Sequence, residues 1–202
     1  MKNRVFVTCP PGLEDITTKE IKEIGEIDAR AKVGGVSVLC STKQIYELNY
    51  SLRTATHVLK EIYSFNSKDI FDVYTKIKDY KWSNILISSD TISIRARVNS
   101  KYFKNSNFLA LRVKDSIVDR MMMDNKSRPS VSRDNASHNF IVNVRNDNVK
   151  LYLNTSGDPL YKRGYRGRVH RASLNPSIAA GIVSLSTWNE SEPFYDPMCG
   201  SG

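Results

Sequence analysis

The seven residues Asp196-Pro197-Met198-Cys199-Gly200-Ser201-Gly202 form the pattern with the sharpest chemical content in this chain. An acid and a proline precede two glycines one residue apart, and Pro193, Phe194 and Tyr195 lead into them. A backbone that passes close beneath a small molecule needs glycine there, because a Cβ would block both the tight turn and the approach. The string therefore predicts a buried strand at residues 193–195 that hands its loop to a ligand, as the first strand of an α/β domain does. Cys199 has no histidine or other base near it in sequence, so it reads as a small residue filling a turn rather than as a nucleophile.

A second set of residues is basic. The 202 residues carry a net charge of +9, and its distribution is uneven. Residues 1–94 hold 13 Lys/Arg against 12 Asp/Glu, residues 95–175 hold 17 against 6, and residues 176–202 hold none against 3. A surface charged only for solubility would spread the excess, whereas a polyanion-binding face concentrates it. Arg95 and Arg97 fall on one side of a strand pattern whose other side holds Ile94, Ala96 and Val98. Lys101, Tyr102, Phe103 and Lys104 follow in a loop. Arg112, Lys114 and Arg120 leave a long helix pattern, Lys126, Arg128 and Arg133 fill a polar stretch, and Lys162, Arg163 and Arg166 lie in a Gly/Tyr/Arg-rich segment. Cations neutralise phosphates and exposed aromatics stack on unpaired bases, so this block has what RNA binding requires. Phe103 and Phe108 are expected in the core rather than as stacking platforms, and Met121-Met122-Met123 in packing.

Other chemistries are not supported. Cys9, Cys40 and Cys199 form no C-x-x-C pair, and with three scattered histidines they give no metal-ligand spacing. No metal is expected, and a reduced, cytoplasmic protein is. No apolar run reaches the length of a membrane span, and Met1-Lys2-Asn3-Arg4 leads into a strand pattern, so no membrane partner is expected.

The elements that must position these groups are of mixed type. Val5–Val7, a helix from Leu13 to Ile24 with Leu13, Ile16, Glu20 and Ile24 along one side, and strands 29–33 and 36–40 around Gly34-Gly35 open the chain. A helix capped by Ser41 or Thr42 and a strand over 56–65 complete a ferredoxin-like βαββαβ order. Ser67 or Asp69 then caps a helix bearing Ile70, Phe71, Tyr74 and Ile77, with Trp82 in the turn after it. A strand over 91–98 and a helix over 105–123 with Phe108, Leu111, Val118 and Met122 on one stripe follow. Residues 124–137 read as a flexible polar stretch, and 139–144 with 149–153 as a hairpin around Asn146-Asp147-Asn148. Residues 176–188 give a small-residue helix (Ile178-Ala179-Ala180-Gly181-Ile182) suited to close packing, ahead of the terminal strand and glycine loop.

Several of these blocks resemble known families. Asp196 to Gly202 resembles motif I of class I S-adenosylmethionine-dependent methyltransferases, in the version of guanine-N2 RNA methyltransferases that carry a THUMP domain. Lys114-Asp115-Ser116-Ile117-Val118-Asp119 resembles the long THUMP helix, whose pattern runs Lys-Asp-Ala-Ile-Val-Asp, with Ser116 in place of alanine. Leu151 to Gly157 and Leu160 to Arg166 are similar to the family's exit from THUMP into the catalytic domain. The resemblance implies an α+β chain: a ferredoxin-like unit over 1–66, a THUMP domain over 67–155 (its family pattern starting as early as 43), a linker over 156–174, and over 175–202 the first helix and strand of an α/β Rossmann-like methyltransferase domain, truncated within motif I.

It further implies S-adenosyl-L-methionine as cofactor, held by Asp196, Pro197, Cys199, Gly200, Ser201 and Gly202. Asp196 would face the methionine amino end, and the backbone of 199–202 would pass beneath the cofactor. The implied activity is methylation of a guanine N2 in structured RNA, 23S rRNA being the expected target. Arg95, Arg97, Lys101, Lys104, Arg112, Lys114, Lys126, Arg128, Lys162, Arg163 and Arg166 would contact that RNA. Asn175-Pro176-Ser177 precedes motif I and so is not the Asn-Pro-Pro-aromatic tetrad that binds the target amine, which leaves these residues alone expected to be inactive. A tRNA methyltransferase of the same build, a DNA adenine methyltransferase and a non-catalytic RNA-binding adaptor are the alternatives. A Rossmann oxidoreductase fits less well, since its Gly-x-Gly-x-x-Gly runs straight into a helix.

Overall fold

The computed structural model describes residues 2–132, 135–164, 173–186 and 188–199. They belong to two compact units, residues 1–60 with 155–202, and residues 61–154. The first contains β1 (Asn3–Thr8), α1 (Glu14–Ile24), β2 (Asp28–Lys32), β3 (Gly35–Cys40), α2 (Thr42–Ser51) and the opening of β4 (His57–Asn66). Its strands lie in the order β2-β3-β1-β4, all antiparallel, with Val5 opposite Val38 on one side and Lys60 on the other. That is the expected ferredoxin-like arrangement. Alternation along the strands turns Val5, Val7, Val36, Val38 and Val58 inward onto Ile21 of α1 and Ile45 and Leu48 of α2. The β2–β3 turn sits one residue earlier than its glycine pair suggested. Lys32 pairs with Gly35, and Gly34 takes φ +81° in the turn. Gly35 is held in the strand because a Cβ there would lie 2.2 Å from the Val7 carbonyl oxygen.

Helix α2 starts from a capping box, in which Ser41 Oγ accepts the Gln44 N–H and Gln44 Oε1 accepts the Ser41 N–H. On α1 the fully buried line is Thr17, Glu20 and Ile21, whereas Ile16 and Ile24 are only half-buried. Glu20 is tied to the segment after α2. Its Oε1 accepts from the Arg53 N–H (2.7 Å) and Nε (3.2 Å), and its Oε2 from the Thr54 N–H (3.1 Å) and Oγ1 (2.6 Å).

The second unit contains the end of β4, α3 (Ile70–Asp79), β5 (Thr91–Asn99), α4 (Ser106–Asn125), β6 (Ser130–Val131), β7 (His138–Arg145) and β8 (Asn148–Asn154). Strand order is β4-β8-β7-β5-β6, with β7 antiparallel to β8 and β5 parallel to both β7 and β6. Both helices cover one face. Val73 and Ile77 of α3 and Leu109, Val113, Ile117 and Met121 of α4 pack on Ile92, Phe140, Val142, Val144, Val149 and Leu151. Trp82 is fully buried, donates Nε1–H to the Ile77 carbonyl at 2.8 Å and meets Phe140 edge-on with centroids 5.5 Å apart.

Four expectations for this unit need correction. The buried stripe of α4 is Leu109, Val113, Ile117 and Met121, at helical i, i+4 spacing, so Phe108, Leu111 and Met122 face outward and only Val118 of the expected set is buried. Phe103 is buried as expected, Phe108 is not, and of the methionine run only Met121 is core. On α3, Val73 and Ile77 are the inward residues and Phe71 is exposed. The described part of the polar stretch after α4 includes a short strand. Lys126 closes the helix in the left-handed region (φ 53°), its N–H on the Met122 carbonyl, and β6 follows, with Ser132 N–H donating to the Ile92 carbonyl.

Past β8 the chain rejoins the first unit. Leu160 is buried in that unit's core and its N–H donates to the Thr56 carbonyl. Helix α5 (Pro176–Leu185) starts from an Asn175 cap and packs through Ser177 and Gly181, where a Cβ would approach Leu13 Cδ2 to 2.6 Å. The small residues therefore serve the close packing their composition suggested. The strand expected at 193–195 is not formed. Pro193 and Pro197 offer no N–H to a ladder, Phe194 and Tyr195 are exposed, and no described strand lies alongside.

Candidate nucleic-acid interface

The basic residues of the second unit separate into three places. β5 has nine residues and spans about 30 Å. α4 leaves its far end and returns over a similar length to β6, which pairs at the near end of β5. Lys101 and Lys104, in the loop between β5 and α4, therefore lie at one end of the unit, and Lys126 and Arg128 at the other. All four are exposed. Arg112 and Lys114 stand between the two ends on α4, both half-buried. Arg112 lies over the exposed rings of Phe71 (5.7 Å) and Phe108 (5.6 Å), and Lys114 is paired with Asp115 at 2.7 Å. On the same helical layer the Asp119 carboxylate accepts the Tyr74 hydroxyl at 2.5 Å and raises that phenol above its ordinary range.

Arg95 and Arg97 are exposed on the sheet face opposite the helices, because Ile94, Ala96 and Val98 take the inward positions. The β5–β7 register sets Arg97 beside Asn143 and Asn99 beside Arg145, so exposed Arg145 shares the face with the other two arginines. The sequence reading ended this strand at Val144 and missed Arg145, although its alternation with Phe140, Val142 and Val144 was the available signal. The predicted cations thus do not converge on one point. Three arginines, counting Arg145, mark one face, and the remainder edge or cross the other layer.

In the first unit, Lys162 and Arg163 are exposed, and Arg163 Nη2 donates to the Asn49 carbonyl at 2.6 Å. Arg133, Arg166 and Gly200–Gly202 lie outside the described residues. In the rest of the glycine string, Asp196 Oδ1 accepts the Met198 N–H at 2.9 Å, forming a local turn, and Met198 and Cys199 are exposed. The acid expected at a cofactor's amino end is thus solvent-accessible, but residues 193–199 alone build no enclosing wall. Burial pushes the Cys40 thiol to about 11 and raises that of Cys9 as well, so both are packing residues rather than nucleophiles. Among the described residues no group of His, Cys, Asp and Glu could hold a metal ion, and no helix is long and apolar enough to cross a membrane.

Known families match this layout in order along the chain. Residues 4–59 match the RlmL ferredoxin-like domain, residues 67–154 the THUMP domain and residues 163–202 the RMKL-like methyltransferase domain. Residues 67–154 carry a THUMP domain. The chain is 32% identical over 200 residues to the Ribosomal RNA large subunit methyltransferase K/L of Vibrio cholerae, covering 99% of this chain and 28% of that relative. A solved structure from Listeria monocytogenes, described as a predicted N6-adenine-specific DNA methylase, is 27% identical with a TM-score of 0.87. SMU.472, solved in complex with SAH, is 23% identical with a TM-score of 0.85 and supports the fold. Each match covers all of this chain, which spans 53% of either structure. The α+β architecture and the three-part order expected from the sequence are therefore both present.

Proposed function

We propose that this chain is the RNA-docking part of an S-adenosylmethionine-dependent methyltransferase that modifies the exocyclic N2 of a guanine in 23S ribosomal RNA, in the cytoplasm. The THUMP domain, with Arg95, Arg97 and Arg145 exposed on one face of its sheet, is the observation that carries this reading. Three guanidiniums on adjacent strands suit a phosphate backbone, each offering a planar fork of donors to an anionic oxygen. The order ferredoxin-like unit, THUMP, methyltransferase start, together with the ribosomal name of the Vibrio cholerae relative, favours rRNA over tRNA.

When bound, S-adenosylmethionine supplies an activated methyl group on its sulfonium. Of this chain's residues, Asp196 would meet the cofactor's amino group with its free carboxylate oxygen, and Pro197, Cys199 and the glycines after it would pass their backbone along it. The part of the chain that docks RNA contributes positioning, holding the nucleic acid so that one base can be unstacked and presented. These 202 residues alone are expected to bind RNA without transferring a methyl group.

A second reading, action on DNA, is favoured only by the name of the Listeria monocytogenes structure. Both are tested by measuring binding of the chain to a folded rRNA fragment and to a DNA duplex of equal length, with and without the triple change Arg95→Gln, Arg97→Gln and Arg145→Gln. The folded RNA should bind more tightly than the duplex. The triple variant should weaken RNA binding at least tenfold and reduce the salt slope by about one per arginine. Unchanged affinity and slope would remove this face from the interface, and a preference for the duplex would favour DNA.

A further inference from the structure

We infer that Tyr102 is a stacking platform for an unpaired RNA base, with Lys68 and Lys101 as the clamp for that nucleotide's phosphate; the assignment rests on the RNA-docking reading and names the form of RNA taken at this end of the second unit. The Lys101 ammonium lies 5.2 Å from the centre of the Tyr102 ring and that of Lys68 5.6 Å. Arg112 is also set against exposed aromatics, as a single charge shared by two rings. At Tyr102 two charges share one ring. The residue is 37% exposed, enough to offer part of its surface while its backbone is held.

The loop that carries the ring is fixed in advance. Phe103, the next residue, is buried in the core. Ser100 Oγ donates to the Asn146 carbonyl and accepts the N–H groups of Tyr102 (3.0 Å) and Phe103 (3.4 Å). The Asn146 N–H donates to the Asn99 carbonyl at 2.8 Å, tying the loop to the tip of the β7–β8 hairpin. The Ser67 N–H donates to the Asp147 carbonyl at 2.7 Å, which brings Lys68 to the same tip. Two nearby carboxylates are engaged elsewhere. Asp69 caps α3 through the N–H groups of Phe71 and Asp72, and Asp72 is paired with Lys76 at 2.7 Å. An anion arriving here thus meets two ammonium groups beside a ring whose position needs no reorganisation.

A duplex needs only the charge, because its bases are already stacked on each other. An exposed ring flanked by cations gains its extra affinity only from a base that is free to leave its neighbours. The platform therefore selects single-stranded or looped RNA.

The test uses the full chain with a short oligoribonucleotide carrying 2-aminopurine and a blunt RNA duplex of the same length. Tyr102→Leu, which keeps bulk and removes the aromatic face, should weaken single-strand binding roughly tenfold, abolish the quenching of 2-aminopurine and leave duplex binding unchanged. Tyr102→Phe should bind and quench like the unmodified chain, which controls for folding. Lys68→Gln with Lys101→Gln should lower the single-strand salt slope by roughly 0.7 for each phosphate left without its cation. Single-strand affinity and quenching unchanged in Tyr102→Leu would overturn the platform alone. Binding of neither RNA by the unmodified chain would overturn the docking reading and the platform together.

Discussion

Replacing Trp82 with alanine should destabilise the second unit by about 3–5 kcal/mol. The indole is fully buried, packed between Tyr80 and Phe140, with its N–H on the Ile77 carbonyl. Removing it opens a cavity where α3, α4 and the sheet meet and leaves that carbonyl without its indole donor. Since a domain is held by only about 5–15 kcal/mol, the loss is a large share of what keeps the exposed arginines in register. Urea unfolding followed by circular dichroism reads it directly, as a midpoint that falls sharply. A midpoint within experimental scatter of the unmodified chain would mean that Trp82 is not the centre of this core.

The second large effect belongs to Glu20. Glu20→Ala should cost the first unit about 2–4 kcal/mol, because buried N–H donors lose an acceptor they cannot replace. The carboxylate takes four hydrogen bonds from Arg53 and Thr54, and Thr54 in turn shares its hydroxyl with Thr17 at 2.8 Å. The ion pair with Arg53 contributes little of this, since the Arg53 side chain is itself exposed and water and salt screen its charge. Glu20→Gln, which retains one acceptor oxygen, should fall between the two. The comparison separates hydrogen bonding from charge: equal midpoints for Glu20→Ala and Glu20→Gln would mean that charge carries the effect.

How legible the fold was depended on how many signals agreed. Strands β1 to β4 combine alternation with glycine turns and a Ser/Gln capping box, and the ferredoxin-like order follows from them. Helix α4 was legible as a helix but not in its orientation. Apolar residues occupy several of its sides, and only the sheet decides that Leu109, Val113, Ile117 and Met121 turn inward. Ser116, which replaces the alanine of the THUMP pattern, is fully buried and donates its hydroxyl to the Val113 carbonyl, so a small polar residue is accommodated without an unpaired group. Strand β6 is two residues long, too short to show a period.

The site was legible by type more than by place. Charge segregation pointed to the second unit, yet sequence could not show that Arg95 and Arg97 lie behind the sheet while Arg112 and Lys114 lie on the helical layer. Arg145 joins the first two through strand register, a long-range property that no local pattern contains. Lys68 meets Tyr102 only because a hairpin tip ties the start of α3 to the β5–α4 loop. The glycine string could be read as a motif, but a strand is made by its neighbours, and its geometry cannot follow from those residues alone.

The central claim is that the second unit grips RNA through its phosphates, and the salt dependence of binding tests it most directly. Anisotropy of a labelled, folded ribosomal RNA fragment, titrated with the full chain between roughly 50 and 200 mM salt, should give a straight log–log plot. Each phosphate neutralised contributes about −0.9 to the slope on a duplex, so three arginines and neighbouring lysines on the backbone predict a value steeper than about −3. A flat plot, or the same slope after the arginine face is neutralised, would contradict it.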